Sequence, residues 1–389
     1  MGSSPTRATI KTNKMIDKVV LWRNKTLHLF YQNLLKPVYF AMQPETIHDR
    51  MVFFGSVLGT NPITRGLTKM MFGYSNKKLE QEILGIKFKN PIGLAGGFDK
   101  NAQLTDILPS VGFGFMEIGS ITGEPCEGND KPRLWRLKNS KSLLVWYGLK
   151  NDGCEALSKK LKGKKFAVPL GTNIAKTNSR DTVDTQNGID DYVKAFNEFA
   201  GIGDYFTINI SCPNAFGGLP FTDAKRLDRL LCALEKIPTK KPIFLKFAPD
   251  QSKNEIDELL AICEKHRVHG FIATNLTKSR SNKRIKDSVP STDGGMSGKV
   301  VEQLSNDLIA YLYKKTKGKY VIIGLGGVFN AGDAYKKIKL GASLVQLITG
   351  MIFEGPQVIS DINLGLVKLL EKDGLDNISQ AIGADNKIK

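Results

Sequence analysis

Residues 207–214 read Thr-Ile-Asn-Ile-Ser-Cys-Pro-Asn, and they set two amides, Asn209 and Asn214, around one thiol, Cys212. The β-rich stretch 205–210 stops at a proline, so these groups sit where a strand gives way to a loop. In barrel enzymes that junction carries the chemistry. Asparagine offers both a donor and an acceptor, which suits a flat, amide-rich ligand, and a thiolate beside it can act as base or nucleophile. A buried cysteine next to a turn is the plainer alternative, since free cysteine is among the most buried residues. The ends of the other strands decide between the two.

Short β-branched or aromatic runs alternate with helical stretches after residue 80. The strands are expected at 92–95, 115–121, 167–173, 205–210, 243–247, 270–275, 320–325 and 343–348. Strand one ends Ala95-Gly96-Gly97-Phe98-Asp99-Lys100, which allows close backbone approach and places an ammonium beside it. Strand two ends at Ser120, strand three at Asn173, and strand six at Thr274-Asn275. Strand five carries Lys246 inside an apolar run, a costly placement unless the ammonium serves a ligand. Strands seven and eight end Gly324-Leu325-Gly326-Gly327 and Ile348-Thr349-Gly350, and another glycine turn precedes strand seven at 294–298. Glycine turns at those two ends are where barrels hold a phosphate. One phosphate grip, a rim of amides and two lysines fit flavin mononucleotide (FMN), with Lys246 stabilising negative charge on the reduced ring.

Eight alternating β/α units predict a (β/α)8 TIM barrel rather than an open doubly wound sheet, and no GxGxxG opens the first helix. A hairpin at 79–89 around Gly85 is expected to plug the bottom. Ahead of the barrel the polar residues 1–13 read as a disordered tail. Residues 14–40 interleave Lys14, Lys18, Arg23, Lys25 and Lys36 with apolar positions, the pattern of a helix lying on an anionic membrane surface. Further apolar helices are expected after Gln43-Pro44-Glu45-Thr46 and over 63–74. The chain thus divides into a tail (1–13), a helical membrane-associating region (14–78) and the barrel (79–389).

Composition limits the alternatives. No run of 18 apolar residues occurs, so no spanning helix is expected. Five cysteines, with no CxxC pair, fit a reducing compartment without a disulfide framework or zinc site. Four histidines with no cluster of partners argue against a metal. The net charge of +18 is spread along the chain rather than gathered in a stripe, so no nucleic-acid partner is expected.

From about Pro37 to Gly365 the chain resembles the dihydroorotate dehydrogenases, in particular the membrane-associated, quinone-using class 2. The markers are Gly93-Leu94-Ala95-Gly96-Gly97-Phe98-Asp99-Lys100, Gly128-Asn129-Asp130-Lys131-Pro132-Arg133-Leu134, Ala273-Thr274-Asn275, the turn 294–298 and Gly341-Ala342-Ser343-Leu344-Val345-Gln346. The resemblance implies oxidation of dihydroorotate to orotate, with electrons passed from FMN to a membrane quinone. It implies peripheral attachment, to the cytoplasmic face of a bacterial membrane or the mitochondrial inner membrane of a eukaryote. Flavin contacts would fall on Gly96, Gly97, Ser120, Asn173, Asn209, Lys246, Thr274, Gly298, Gly327 and Thr349. Substrate contacts would be Lys100, Asn209, Asn214 and Asn275, and the helices around Gln43-Pro44-Glu45 and His48 look like the quinone tunnel.

Four positions depart from the class 2 pattern, one of them Lys150, where Lys150-Asn151 replaces the usual Asn-Asn. The class 2 catalytic base is a serine, whereas this chain has Cys212, as class 1 enzymes do; a thiol ionises more readily than an alcohol. Val145 stands where an amide normally contacts the pyrimidine, and Leu276 where a threonine follows the Asn of strand six. Two other readings therefore stay open: a related FMN oxidoreductase acting on another cyclic amide, and an enzyme like the RNA dihydrouridine synthases. The barrel's expected finish near residue 370 leaves the latter no room for an RNA-binding domain.

Overall fold

The structure is a computed structural model that describes residues 7–386, with side chains from residue 15 onward. Eight parallel strands close into a barrel: Ile92–Asp99, Phe115–Ile121, Leu170–Ile174, Tyr205–Ile208, Ile243–Phe247, Gly270–Ala273, Val321–Leu325 and Leu344–Leu347. Each pairs with its neighbour in chain order, and the last returns to the first through Val345 opposite Ile92. Parallel strands are covered on both faces, which is why they read as unbroken apolar runs rather than alternating ones. All seven residues of Phe115–Ile121 are buried. Helices such as Thr185–Glu198 and Ala224–Glu235 turn Leu227, Leu230, Leu231 and Leu234 or their equivalents onto the barrel's outer face.

Two sheets lie outside the barrel. At its amino end, Gln81–Ile83 and Ile86–Phe88 form a hairpin whose turn residues Leu84 and Gly85 both have positive φ, 52° and 76°. That is the two-residue geometry whose twist matches paired strands. Ile83, Ile86 and Phe88 pack on Phe115, Tyr205, Phe244 and Ile323, so the expected plug is in place. The second sheet does not show in the sequence pattern. Leu134–Leu137, Ser142–Val145 and Gly295–Met296 form an antiparallel trio, in which Val145 pairs with both Leu134 and Gly295. It joins the loops after strands two and six beside the mouth of the barrel.

The N-terminal extension is helical from Arg7, so the helix occupies part of the stretch read as a tail; residues 1–6 lie outside the described residues. It runs Arg7–Phe30, a π-helical turn Tyr31–Leu35, then Lys36–Ala41, Pro44–Thr60 and Pro62–Phe72. Proline opens the last two at a position where its missing N–H costs nothing. The first helix docks on Val358–Lys372, where Arg23 donates to Ser360 Oγ (2.8 Å) and Asn24 to Asp361 Oδ1 (2.8 Å). Its outward face, with Met15, Val19 and Trp22, stays exposed, as do Phe53, Phe54, Ile63, Leu67 and Met70 on the later helices. No helix among the described residues is long and apolar enough to cross a membrane.

Candidate active site

The carboxyl ends of the strands open into one cavity of about 1200 Å3, its open mouth included. Gly96, Gly97, Lys100, Ser120, Asn209, Cys212, Asn214, Lys246, Thr274, Asn275, Gly298, Gly327 and Thr349 all line it. Asn173 does not. It is fully buried and accepts a hydrogen bond from Ser120 Oγ (2.5 Å), directly beneath Gly96. Its own amide donates to Glu117 Oε2 at 3.1 Å, in the barrel interior.

The amides form a chain along the floor. Asn209 donates to Ser120 Oγ (2.9 Å), and Asn275 donates to Asn209 Oδ1 (3.1 Å) and to the Ser211 carbonyl (2.9 Å). Asn214 reaches across to the new sheet and donates to the Val145 carbonyl (3.0 Å). Its Oδ1 is buried without a partner, which leaves one acceptor for a ligand N–H. Val145 and Leu276 also line the cavity, so the rim they form is apolar.

Lys246 is buried in strand five, and that burial lowers its pKa while Glu117 supports its charge. A buried ammonium of this kind gains from an anionic or strongly accepting ligand. Two glycines of the opposite wall admit no side chain. A Cβ on Gly298 (φ 76°) would stand 2.4 Å from the Lys141 carbonyl, and one on Gly327 (φ 74°) 2.3 Å from Glu302 Cβ. Glycine is therefore required at both turns by the packing of the neighbouring chain.

Burial pushes the Cys212 thiol up, opposed by the Asn214 N–H, Lys246 and Lys176. Ease of ionisation relative to an alcohol does not make it a thiolate at neutral pH. Burial likewise lowers Lys100, to about 8, against the support of Asp49 and Glu45. Its ammonium lies 4.0 Å from the centre of the Tyr147 ring and 3.5 Å from His48 Nε2. Tyr147 belongs to the unexpected sheet's trailing loop, and His48 to Pro44–Thr60, three residues beyond Glu45. Glu45 in turn pairs with buried Arg133 (2.8 Å). An 88-residue separation carries no local signal, and the Gln43-Pro44-Glu45 and His48 cluster shows in the sequence only through family likeness.

Among the described residues, one metal-like cluster exists where none was expected around a histidine: ligand atoms of Asp228, Cys232 and His266 lie within 4.8 Å of one another on the outer surface. Both ring nitrogens of His266 are engaged, by Asp228 and Glu235 at 3.1 Å each, and these carboxylates raise its pKa. The arrangement is that of an imidazolium clamped between two acids.

A model of the family described as dihydroorotate dehydrogenase matches residues 78–370. Among curated relatives, a dihydroorotate dehydrogenase (quinone) of Christiangramia forsetii is 39% identical over 346 residues, 88% of this chain and 99% of that protein. One of Gloeobacter violaceus is 36% identical over 352 residues, 90% of this chain and 98% of that protein. A crystal structure of the Eimeria tenella enzyme in complex with ferulenol superposes with a TM-score of 0.79 at 29% identity, covering 88% of this chain and 96% of that one. The cavity and its lysines, amides and thiol therefore belong to a member of the dihydroorotate dehydrogenase family.

Proposed function

We propose that this protein oxidises dihydroorotate to orotate with bound FMN and delivers the electrons to a membrane quinone. The observation that carries this reading is that Cys212, Lys100, Lys246 and three asparagines line a single cavity at the carboxyl ends of the strands. The buried Lys246 ammonium and the glycine turns at Gly298 and Gly327 fit the ring and phosphate of FMN. The bound flavin supplies a hydride acceptor.

Each side chain then has a definite task. Lys100 compensates the substrate carboxylate. Asn209, Asn214 and Asn275 orient the cyclic amide, with Asn214 Oδ1 free to accept an N–H. Cys212, once ionised, takes the C5 proton at Sγ while hydride leaves C6. Lys246 holds positive charge beside the ring that receives it, and the Val145–Leu276 rim keeps water from the reacting face. The exposed apolar faces of the first four helices, flanked by Lys18, Lys25 and Lys69, support peripheral binding to an anionic membrane and a route for quinone.

A second reading is favoured by one observation. Val145 and Leu276 present carbon where a pyrimidine edge presents polar atoms, so a cyclic amide with an apolar edge would fit better. Both readings meet one experiment. The protein is purified with its flavin, and absorbance is followed without oxygen on adding dihydroorotate. Prompt bleaching, followed by recovery with a soluble quinone, is expected. A flavin that stays oxidised at millimolar dihydroorotate rules out the first reading and leaves the second.

A further inference from the structure

We propose that Lys176, on the far side of Cys212 from the flavin site, is the positioning residue whose charge stabilises the Cys212 thiolate. The inference rests on the reading of Cys212 as the base. Cys212, with Leu149 and Asn209, lies in the wall shared by two cavities: the large one, and a smaller one whose walls include Lys176, Tyr192 and Phe221. Lys176 follows strand three, is buried, and donates only to neutral acceptors, the Phe216 carbonyl (2.9 Å) and Thr182 Oγ1 (3.2 Å). Phe216 belongs to the same loop as Cys212, so the lysine both holds that loop and stands behind its thiol.

A buried ammonium without a bonded acid is a cost that a nearby anion removes. Burial lowers the Lys176 pKa, and Asp191, Cys212 and Cys126 oppose that. Asp191 is committed elsewhere: it accepts from the Thr177 N–H (2.7 Å), Thr177 Oγ1 (2.6 Å) and the Gly123 N–H (3.2 Å). The groups acting on Cys212 are the Asn214 N–H, Lys246, Lys176 and Cys126. Lys246 faces the large cavity and is shared with whatever fills it. Lys176 is the cation reserved for the sulfur. It acts on the sulfur through its charge and takes no proton from it.

The test uses the FMN-bound full chain and needs no substrate. Iodoacetamide alkylation of Cys212 is followed by mass spectrometry of its peptide across pH, in wild type, Lys176→Gln, Lys176→Met and Lys176→Arg. The neutral variants should shift the rising limb upward by about one pH unit or more, the size of effect a close opposite charge exerts. The arginine variant should hold the wild-type limb. Flavin reduction by dihydroorotate should move in parallel with KM little changed. An unmoved limb in either flavin-bound neutral variant overturns the proposal. So does failure of both neutral variants to hold FMN, which would give the lysine a purely structural part.

Discussion

His48 Nε2 stands 3.5 Å from Lys100 Nζ, and that contact joins the N-terminal extension to the substrate end of the barrel. The same ring nitrogen lies 2.9 Å from the Phe98 carbonyl, in the strand that bears Gly96 and Gly97. Removing the extension would therefore take His48 from the cavity's lining, and experiments on membrane binding must spare Pro44–Thr60.

Cys212→Ala should keep FMN bound yet slow flavin reduction by at least about 10²-fold, the usual scale for losing a general base. Because burial raises the thiol's pKa, the wild-type rate should climb as pH rises beyond neutral. Cys212→Ser should retain activity and need still higher pH. Reduction of the Ala variant at the wild-type rate, measured by stopped-flow, would remove Cys212 from the mechanism.

Lys100 gives a pH dependence of the opposite sign. Its ammonium predominates below about 8 and is lost above it in the ligand-free protein. If Lys100 holds the carboxylate of dihydroorotate as an ammonium, KM should rise with pH through that region while kcat follows Cys212 upward. Lys100→Met should raise KM strongly and flatten the KM profile. A KM that stays constant from pH 6 to 10 contradicts the assignment.

The Glu45–Arg133 pair should matter for stability. Both side chains are buried, and removing one partner of such a pair costs about 3–5 kcal/mol. Glu45→Ala should accordingly lower the thermal midpoint by several degrees. Arg133 and Lys131 hold the folded pKa of Glu45 below its unfolded value, despite burial. That contribution is complete above the ordinary carboxylate pKa and disappears as pH falls through the folded one, so the variant's deficit should shrink in acid.

What the sequence made legible follows from range. Strands 115–121 and 243–247 coincide with Phe115–Ile121 and Ile243–Phe247, because a buried parallel strand is a local apolar run. Residues at strand ends inherit that register, which is why twelve neighbouring positions from Gly96 to Thr349 converge with Cys212 on one cavity. Asn173 lies beneath Ser120 rather than on the lining, because register does not tell which of two stacked polar groups takes the top. The sheet carrying Val145 escaped notice because its strands of four, four and two residues are stitched from segments 150 residues apart.

Membrane attachment should depend on carbon and charge separately. Ile63 and Met70 are 71% and 68% exposed on Pro62–Phe72, away from the active-site wall. Replacing both with Glu should weaken binding to anionic vesicles and lower quinone turnover, with flavin reduction by dihydroorotate intact. Binding of the wild type should fall as salt rises, since each nearby Lys or Arg contributes about 1 kcal/mol. Full quinone turnover in the double variant would place the quinone elsewhere.

Val145 offers the sharpest test of specificity. Its carbonyl already accepts from Asn214 through the backbone, so Val145→Asn leaves that bond in place and adds an amide to the rim. If the natural ligand is orotate, the new amide should tighten it by about 1 kcal/mol or more, since it supplies a buried partner to a polar edge. The neighbouring Tyr147 ring is fixed by Lys100 and Arg133, which limits how far the loop can yield to the larger side chain. If the natural ligand has an apolar edge, the same substitution should cost activity on that compound, because an amide then faces carbon unpaired. Orotate titrations of both proteins, monitored by the flavin spectrum, separate the outcomes. Equal affinities would mean that the Ser142–Val145 strand does not touch the ring, and would leave Leu276 as the residue that shapes the apolar rim.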